Sequence, residues 1–112
     1  MAGDVIRRGS VVIVVIPGDF GKPRPAVVIQ ADIFSDLDSV LVCPLTSDLS
    51  TKSALRIEVA LTEENGLRLT SQIMLEKLSA VRKGRIGAVI GQIDSAIMDL
   101  AAREIAVLIG LS

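Results

Sequence analysis

The sequence of 112 residues contains no histidine, tryptophan or tyrosine, only one cysteine and only two phenylalanines. Because histidine is absent, a mechanism that depends on paired histidine acid–base groups is excluded. The lone Cys43 cannot form a disulfide within the chain, and its apolar surroundings in the sequence favour a reduced, buried thiol. Phe20 and Phe34 are the only aromatic rings, so stacking on unpaired nucleic-acid bases is almost absent as a means of binding.

The chain also lacks an excess of positive charge and a long apolar run. Lysine and arginine number 12 against 13 acidic residues, so any nucleic-acid binding must come from a local patch. Arg7-Arg8 and the apolar run from Val11 to Ile16 resemble a leader peptide, but Pro17-Gly18-Asp19 interrupts the run and no small-residue cleavage site follows. No run approaches the roughly 18 apolar residues that a membrane span needs. We therefore predict a cytoplasmic protein without a membrane segment.

The chain is rich in aliphatic side chains. Half of its residues are hydrophobic, and a chain of this length forms one small domain, predicted here to span residues 1–112. A small domain keeps much of its surface exposed, so this many aliphatic residues are hard to bury in a monomer. The composition predicts an oligomer, and a two-fold dimer above other states.

The hydrophobic pattern predicts a mainly β protein with one closing helix. Asp94 is a good helix N-cap, apolar residues follow it at helical spacing, and Gly110 is a stop signal, which predicts an amphipathic helix over Ser95–Ile109. A turn of helix is expected around Ile33-Phe34, with Phe34 in the core. Strands are predicted over Ser10–Ile16, Ala26–Gln30, Ser39–Leu45, Leu55–Leu61, Thr70–Val81 and Arg85–Ile93. The architecture expected is a small, mainly antiparallel sheet curled into a barrel, with the helix packed on it.

Two stretches place groups able to bind phosphate at the ends of predicted strands. Arg24 stands between two prolines just before the apolar run Ala26–Gln30, and the hydroxyls of Thr46 and Ser47 follow Pro44-Leu45. A guanidinium offers a rigid fork of donors that suits a phosphate, and a hydroxyl can add a further hydrogen bond. We interpret the two stretches as the two halves of one active site.

The order of these and later motifs resembles that of the MazF/PemK family of toxin endoribonucleases, over nearly the whole chain. Each motif is weak alone, but their order and spacing together are fairly specific. The motifs are Arg8-Gly9, Arg24-Pro25-Ala26-Val27-Val28, Pro44-Leu45-Thr46-Ser47, Ser71-Gln72, Lys77-Leu78-Ser79-Ala80-Val81, Arg85-Ile86-Gly87 and the C-terminal helix.

The resemblance implies an SH3-like small barrel with a C-terminal helix, assembled as a homodimer. Members of the family cut single-stranded RNA, mainly messenger RNA, at short sequences without a metal or cofactor. The ribose 2′-hydroxyl attacks the adjacent phosphate and leaves a 2′,3′-cyclic phosphate and a 5′-hydroxyl end. A small antitoxin neutralises such toxins by filling the RNA groove with its C-terminal segment. The catalytic pair of the family corresponds to Arg24 and Thr46.

The other candidate residues rest on the same resemblance and on charge. Glu76 corresponds to an acidic position of some relatives and could act as a general base; an exposed strand carboxylate without a role is the alternative. Met74 stands where some relatives carry arginine, which puts one phosphate contact in doubt, and Lys77 stands where glutamine is common. The residues predicted to contact RNA are Phe20, Lys22, Ser47, Lys77, Arg82, Lys83 and Arg85.

Two other functions are compatible with this sequence. The CcdB-like toxins share the fold but bind DNA gyrase through the end of the C-terminal helix, where a terminal tryptophan matters. Here the chain ends Leu108-Ile109-Gly110-Leu111-Ser112, without a tryptophan, which argues against this alternative. A family member that has lost its activity and acts as an interaction partner is the other, although Arg24 and Thr46 are retained.

Overall fold

Three antiparallel strands form the centre of the computed structural model, which describes residues 5–15 and 21–111. They are β1 (Ser10–Val15), β2 (Pro23–Val28) and β3 (Ser39–Thr46). β-Branched valines dominate β1, and their restricted side chains favour extended backbone. β2 pairs with β1 along one edge and with β3 along the other, which makes it the middle strand of this unit.

The remaining elements extend and cover this unit. Short 3-10 turns occupy Asp32–Phe34, Leu75–Lys77 and Lys83–Arg85. The other strands and the helix are β4 (Arg56–Val59), β5 (Ser71–Met74), β6 (Ser79–Arg82), β7 (Ile86–Gln92) and α1 (Ser95–Leu108). The sheet runs β4-β5-β3-β2-β1-β7, and β6 also pairs with β3. Within residues 5–15 and 21–111, β4 and β7 do not pair, so the curled sheet stays open there.

The strand predicted over Thr70–Val81 is wrong as a single element. Its two halves, β5 and β6, pair with the same edge of β3, at Leu45–Thr46 and at Ser39–Val42 respectively. Cys43 and Pro44 separate the two pairings, and Pro44 has no N–H to donate to a ladder. The turn Leu75–Lys77 carries the chain past this gap, with Leu75 buried beneath it.

Three further predictions need correction. Phe34 does not fill the core, because it is 55% exposed on a 3-10 turn that has no buried residue. β2 begins at Pro23, so Arg24 lies inside the strand and not just before it. The fixed φ of proline is compatible with the extended backbone at the start of a strand. Arg85 belongs to the turn before β7. Ile16, predicted to end the first strand, lies outside the described residues.

The core has two parts, one on each face of the central strands. Val11, Val27 and Cys43 face a cluster that α1 covers through Met98 and Ala101. Val12, Val14, Ala26, Val28, Val40, Val42 and Val81 form the second cluster on the opposite face. A continuous apolar run such as that of β1 is typical of a strand buried on both faces, and the two clusters show this burial. Burial also raises the pKa of the Cys43 thiol to about 12, so this thiol stays protonated and unreactive.

The helix forms as its sequence signals predict. The Asp94 side chain accepts a hydrogen bond from the backbone N–H of Ile97 at 2.9 Å, which satisfies one of the unpaired donors of the first turn. Gly110 adopts a φ of 92° just after the helix, a conformation that glycine reaches without strain. Among the described residues, no helix is long and apolar enough to cross a membrane.

A turn between β4 and β5 is fixed against β7 by a buried side chain and by close backbone contact. Asn65 is only 3% exposed, and its side chain bonds the backbone of Thr62, Ala60 and Leu67. Gly66 follows with a φ of 68°, and a Cβ atom there would lie 2.1 Å from the carbonyl oxygen of Ile90. No residue other than glycine fits this position without moving the backbone of β7.

We expect Gly66→Ala to lower the free energy of unfolding by at least about 2 kcal/mol, because it combines left-handed strain with a backbone clash. Gly21→Ala is the matched control: Gly21 has a similar φ of 72°, but no atom of the described residues lies within 4 Å of an added Cβ, so about 1 kcal/mol is expected. Urea unfolding at one fixed protein concentration measures both changes. Equal destabilisation by the two substitutions would show that the contact with Ile90 does not constrain the turn.

Candidate active site

Arg24 and Thr46 line the same open cleft, which has a volume of about 540 Å³. β2 supplies Arg24, and the end of β3 supplies Thr46 and the adjacent Ser47. The apolar part of the lining includes Ile13, Leu45, Leu67 and Ile90. The two stretches that the sequence analysis interpreted as halves of one site are therefore brought together.

Strand register explains why these two residues meet. Ala26 pairs with Pro44 in the ladder between β2 and β3. Two residues further along each strand, the same register places Arg24 opposite Thr46. Since side chains two positions apart share a face of a strand, this register makes Arg24 and Thr46 neighbours at the end of the pairing.

The loop after Thr46 is held by its own polar side chains. The Thr46 hydroxyl oxygen accepts a hydrogen bond from the backbone N–H of Asp48 at 3.1 Å, and the Asp48 carboxylate accepts one from the backbone N–H of Ser50 at 3.0 Å. Hydrogen bonds from Ser50 lower the pKa of the Asp48 carboxyl. A hydroxyl that accepts one bond can still donate its own proton, so Thr46 is fixed by the loop yet able to donate into the cleft.

A buried glutamine ties the same loop to the sheet. Gln72 is 3% exposed and pairs in register with Thr46. Its side-chain N–H donates to the carbonyl of Thr51 at 2.9 Å, and its oxygen accepts a longer bond from Arg56 at 3.5 Å. The loop is thereby anchored on the strand adjacent to Thr46. Sequence reasoning used Gln72 only as part of a motif, because its contacts come from segments far apart in the chain.

Arg56 links this glutamine to Glu76. The Arg56 Nε–H donates to both carboxylate oxygens of Glu76, at 3.0 and 2.8 Å, and Nη2 donates as well. These hydrogen bonds lower the pKa of the Glu76 carboxyl and raise the pKa of Arg56. Glu76 lies on the turn after β5 and does not line the described part of the cleft around Arg24. As positioned here, its carboxylate is a weakened base whose two oxygens are both engaged.

The predicted RNA-contacting residues are spread over the surface. Arg82 pairs with Ser39, at the far end of β3 from Thr46, and an eight-residue strand places the two ends about 23 Å apart. Lys83 follows Arg82, and its ammonium donates to the carbonyl of Ser35.

The remaining residues predicted to contact RNA occupy different parts of the surface. Ile86 pairs with Val14, and Val14 pairs on its other side with Arg24. Two strand spacings therefore separate the backbones of Ile86 and Arg24, about 10 Å, and Arg85 directly precedes Ile86. Lys22 is exposed just before β2. Lys77 is exposed on the same turn as Glu76. Phe20 lies outside the described residues.

Arg68 is a cleft residue that the sequence analysis missed. It lies in the connection between β4 and β5 and lines the same cleft as Arg24. No motif marks it, because a single arginine in a polar connection is ordinary in a sequence. Its position depends on the fixed turn at Asn65-Gly66.

Comparison with known proteins gives matches over nearly the whole chain. Residues 7–109 match the family model described as PemK-like, MazF-like toxin of type II toxin-antitoxin system. The chain is also 31% identical over 108 residues to a protein of Mycolicibacterium smegmatis named probable endoribonuclease MazF, covering 96% of this chain and 99% of that protein.

Solved structures confirm the predicted fold. The Mycobacterium tuberculosis toxin MazF-mt6 has a TM-score of 0.78 at 20% identity, covering 92% of this chain and 98% of that one. MazF of Deinococcus radiodurans has a TM-score of 0.79 at 13% identity, with 96% and 99% covered. At these low sequence identities the two solved structures support the fold alone. The family itself is shown by the match of residues 7–109 to the family model. This chain belongs to the PemK-like, MazF-like toxin family of type II toxin-antitoxin systems.

Proposed function

We propose that this protein is an endoribonuclease toxin that cuts single-stranded RNA, mainly messenger RNA, at short sequences without a metal or cofactor. The observation that carries the proposal is the meeting of Arg24 and Thr46 in one open cleft, in a member of this toxin family. The name of the Mycolicibacterium smegmatis relative, probable endoribonuclease MazF, supports the same activity.

The proposed chemistry is transesterification within the RNA. The ribose 2′-oxygen attacks the adjacent phosphorus while the bond to the 5′-oxygen of the next nucleotide breaks, which gives a 2′,3′-cyclic phosphate and a 5′-hydroxyl. The nucleophile is part of the substrate, so the enzyme must mainly orient it and stabilise the charge that grows on the phosphoryl oxygens. Arg24 supplies a permanent positive fork for that charge, and the Thr46 hydroxyl donates a further hydrogen bond. Ser47, exposed beside Thr46, is assigned to the RNA backbone.

The catalytic role predicted for Glu76 stays a prediction, and the geometry favours a positioning role. Its carboxylate holds Arg56, which contacts the glutamine that anchors the loop after Thr46. To act as a general base, Glu76 would have to leave Arg56 and approach the ribose. A lowered pKa also makes it a poorer proton acceptor near neutral pH.

The proposed partners are an antitoxin and a second copy of the chain. One structurally similar protein is described as an endoribonuclease in complex with its cognate antitoxin, with a TM-score of 0.79 at 16% identity. By analogy we assign a cognate antitoxin whose C-terminal segment occupies the RNA groove, and a cytoplasmic location. Exposed apolar side chains support a homodimer, since a second copy could bury some of them; they include Ile33 at 82%, Ile109 at 71% and Leu111 at 72% exposure.

The first test is to incubate the antitoxin-free protein with a long, unstructured RNA in the presence of EDTA and to map the fragment ends. We expect discrete cuts at one short sequence, with 5′-hydroxyl ends and cyclic phosphates. Absence of cleavage by protein shown to be a folded dimer would contradict the proposed activity. Gyrase inhibition by that protein would then favour the CcdB-like alternative.

Arg24→Ala is expected to lower the cleavage rate by about 100- to 1,000-fold, because it removes the main donor to the developing charge. Thr46→Val should cost about 100-fold for the loss of one hydrogen-bond donor, and Thr46→Ser, which keeps the hydroxyl, should recover most of the rate. Arg103→Ala on α1 is the control for a lost surface arginine, with circular dichroism and sedimentation to check folding and assembly. Full cleavage by Arg24→Ala would refute the assigned site.

The role of Glu76 is tested by the pH dependence of kcat/KM. If Glu76 were the general base, Arg56→Ala would remove the hydrogen bonds that lower its pKa, and the acidic limb of the profile would move to higher pH. For the positioning role we expect Arg56→Ala and Glu76→Gln to lower the rate by similar factors, less than additively when combined, with the acidic limb unmoved. A loss of about 100-fold or more with Glu76→Gln alone, together with an upward-shifted limb in Arg56→Ala, would restore the general base.

A further inference from the structure

We infer that Arg68 is a second RNA-binding arginine of the cleft, which contacts a phosphate next to the one that is cut. This inference rests on the proposed function, since it names a further contact with the same substrate. Arg68 and Arg24 come from separate parts of the fold, the β4–β5 connection and β2, and both residues line the one cleft.

The backbone that carries Arg68 is fixed before any ligand binds. The Asn65 side chain bonds three backbone groups of its own turn, and Gly66 approaches Ile90 so closely that no Cβ would fit. Leu67 then enters the core with 8% exposure. Arg68, the next residue, is therefore presented to the cleft from an anchored position, which lowers the entropic cost of binding.

The charge in the cleft favours an anionic ligand. Its lining includes two arginines and, within the described residues, no aspartate or glutamate, although acidic residues outnumber basic ones in the whole chain. No hydrogen bond or ion pair links the Arg68 guanidinium to another described residue. Its five donors are thus open to a ligand, and two arginines carried by separate segments of the lining suit two successive phosphates better than one.

Hydroxyls and apolar surface complete a site suited to a nucleotide chain. Thr46, Ser47 and Ser71 add hydroxyl groups to the lining, and Leu69, 61% exposed beside Arg68, offers apolar surface to a base or ribose. In a chain with only two phenylalanines, aliphatic contact and phosphate binding must carry more of the affinity for RNA. Arg68 and Leu69 supply both from one short segment.

The test measures how affinity for RNA depends on salt. The probe is a fluorescein-labelled, unstructured RNA with 2′-O-methyl riboses, which has no nucleophile and cannot be cut. For Arg68→Gln we expect a dissociation constant about 5- to 10-fold higher and a slope of log affinity against log salt reduced by about 0.7, the value for one lost phosphate contact with a single strand. Arg68→Lys should keep the slope, and Arg103→Gln, an exposed arginine on α1 with the same change in charge, should match the wild type.

Cleavage of unmodified RNA provides the second measurement. Because Arg68 is assigned to a neighbouring phosphate, Arg68→Gln should raise KM about 5- to 10-fold and leave kcat within about twofold. An unchanged slope and KM in Arg68→Gln, with normal binding and cleavage by the wild type, would overturn the role of Arg68 and leave the proposed function intact. Failure of the wild-type protein to bind the probe would instead count against both.

Discussion

The structure depends on the two-sided pairing of β3. One edge of this strand pairs with β2, and its other edge pairs with β6 at one end and with β5 at the other. Since an eight-residue strand holds three partners, a change of register along β3 would displace the whole sheet. The same pairing places Thr46 between Arg24 on one side and Gln72 on the other. The strand that organises the core therefore also assembles the site.

Polar contacts around the cleft form two layers with different tasks. Arg24, Thr46 and Arg68 line the open cleft, which a charged ligand can enter. Behind them, Gln72 and the Arg56–Glu76 pair anchor the loop that follows Thr46. A buried polar group such as Gln72 is costly unless it is bonded, and here its amide is satisfied by the loop that it holds. The site thus rests on strand ends and anchored turns, which position side chains more accurately than unsupported loops.

Much of the fold followed from local patterns. The continuous apolar run of β1 is typical of burial on both faces, and Asp94 and Gly110 marked the two ends of the helix. The predictions failed where tertiary pairing overrode local pattern. Thr70–Val81 is apolar enough for one long strand, yet Pro44 on the neighbouring strand interrupts the ladder and the chain makes a 3-10 turn. Phe34 is exposed, although its hydrophobicity alone predicted a place in the core.

The sequence by itself determined the family and the strand-rich architecture, because these depend on the order of short motifs and on local apolar patterns. That Arg24 and Thr46 share one site was predicted from the resemblance to the family, and the register of β2 and β3 brings the two residues together. Only the tertiary structure decided which other groups approach that site. It placed Arg68 on the cleft wall, separated Arg82 and Lys83 from Thr46 by the length of β3, and engaged Glu76 with Arg56. Each of these outcomes depends on strand register and on contacts between residues 20 or more positions apart, and no local pattern in the sequence records such contacts.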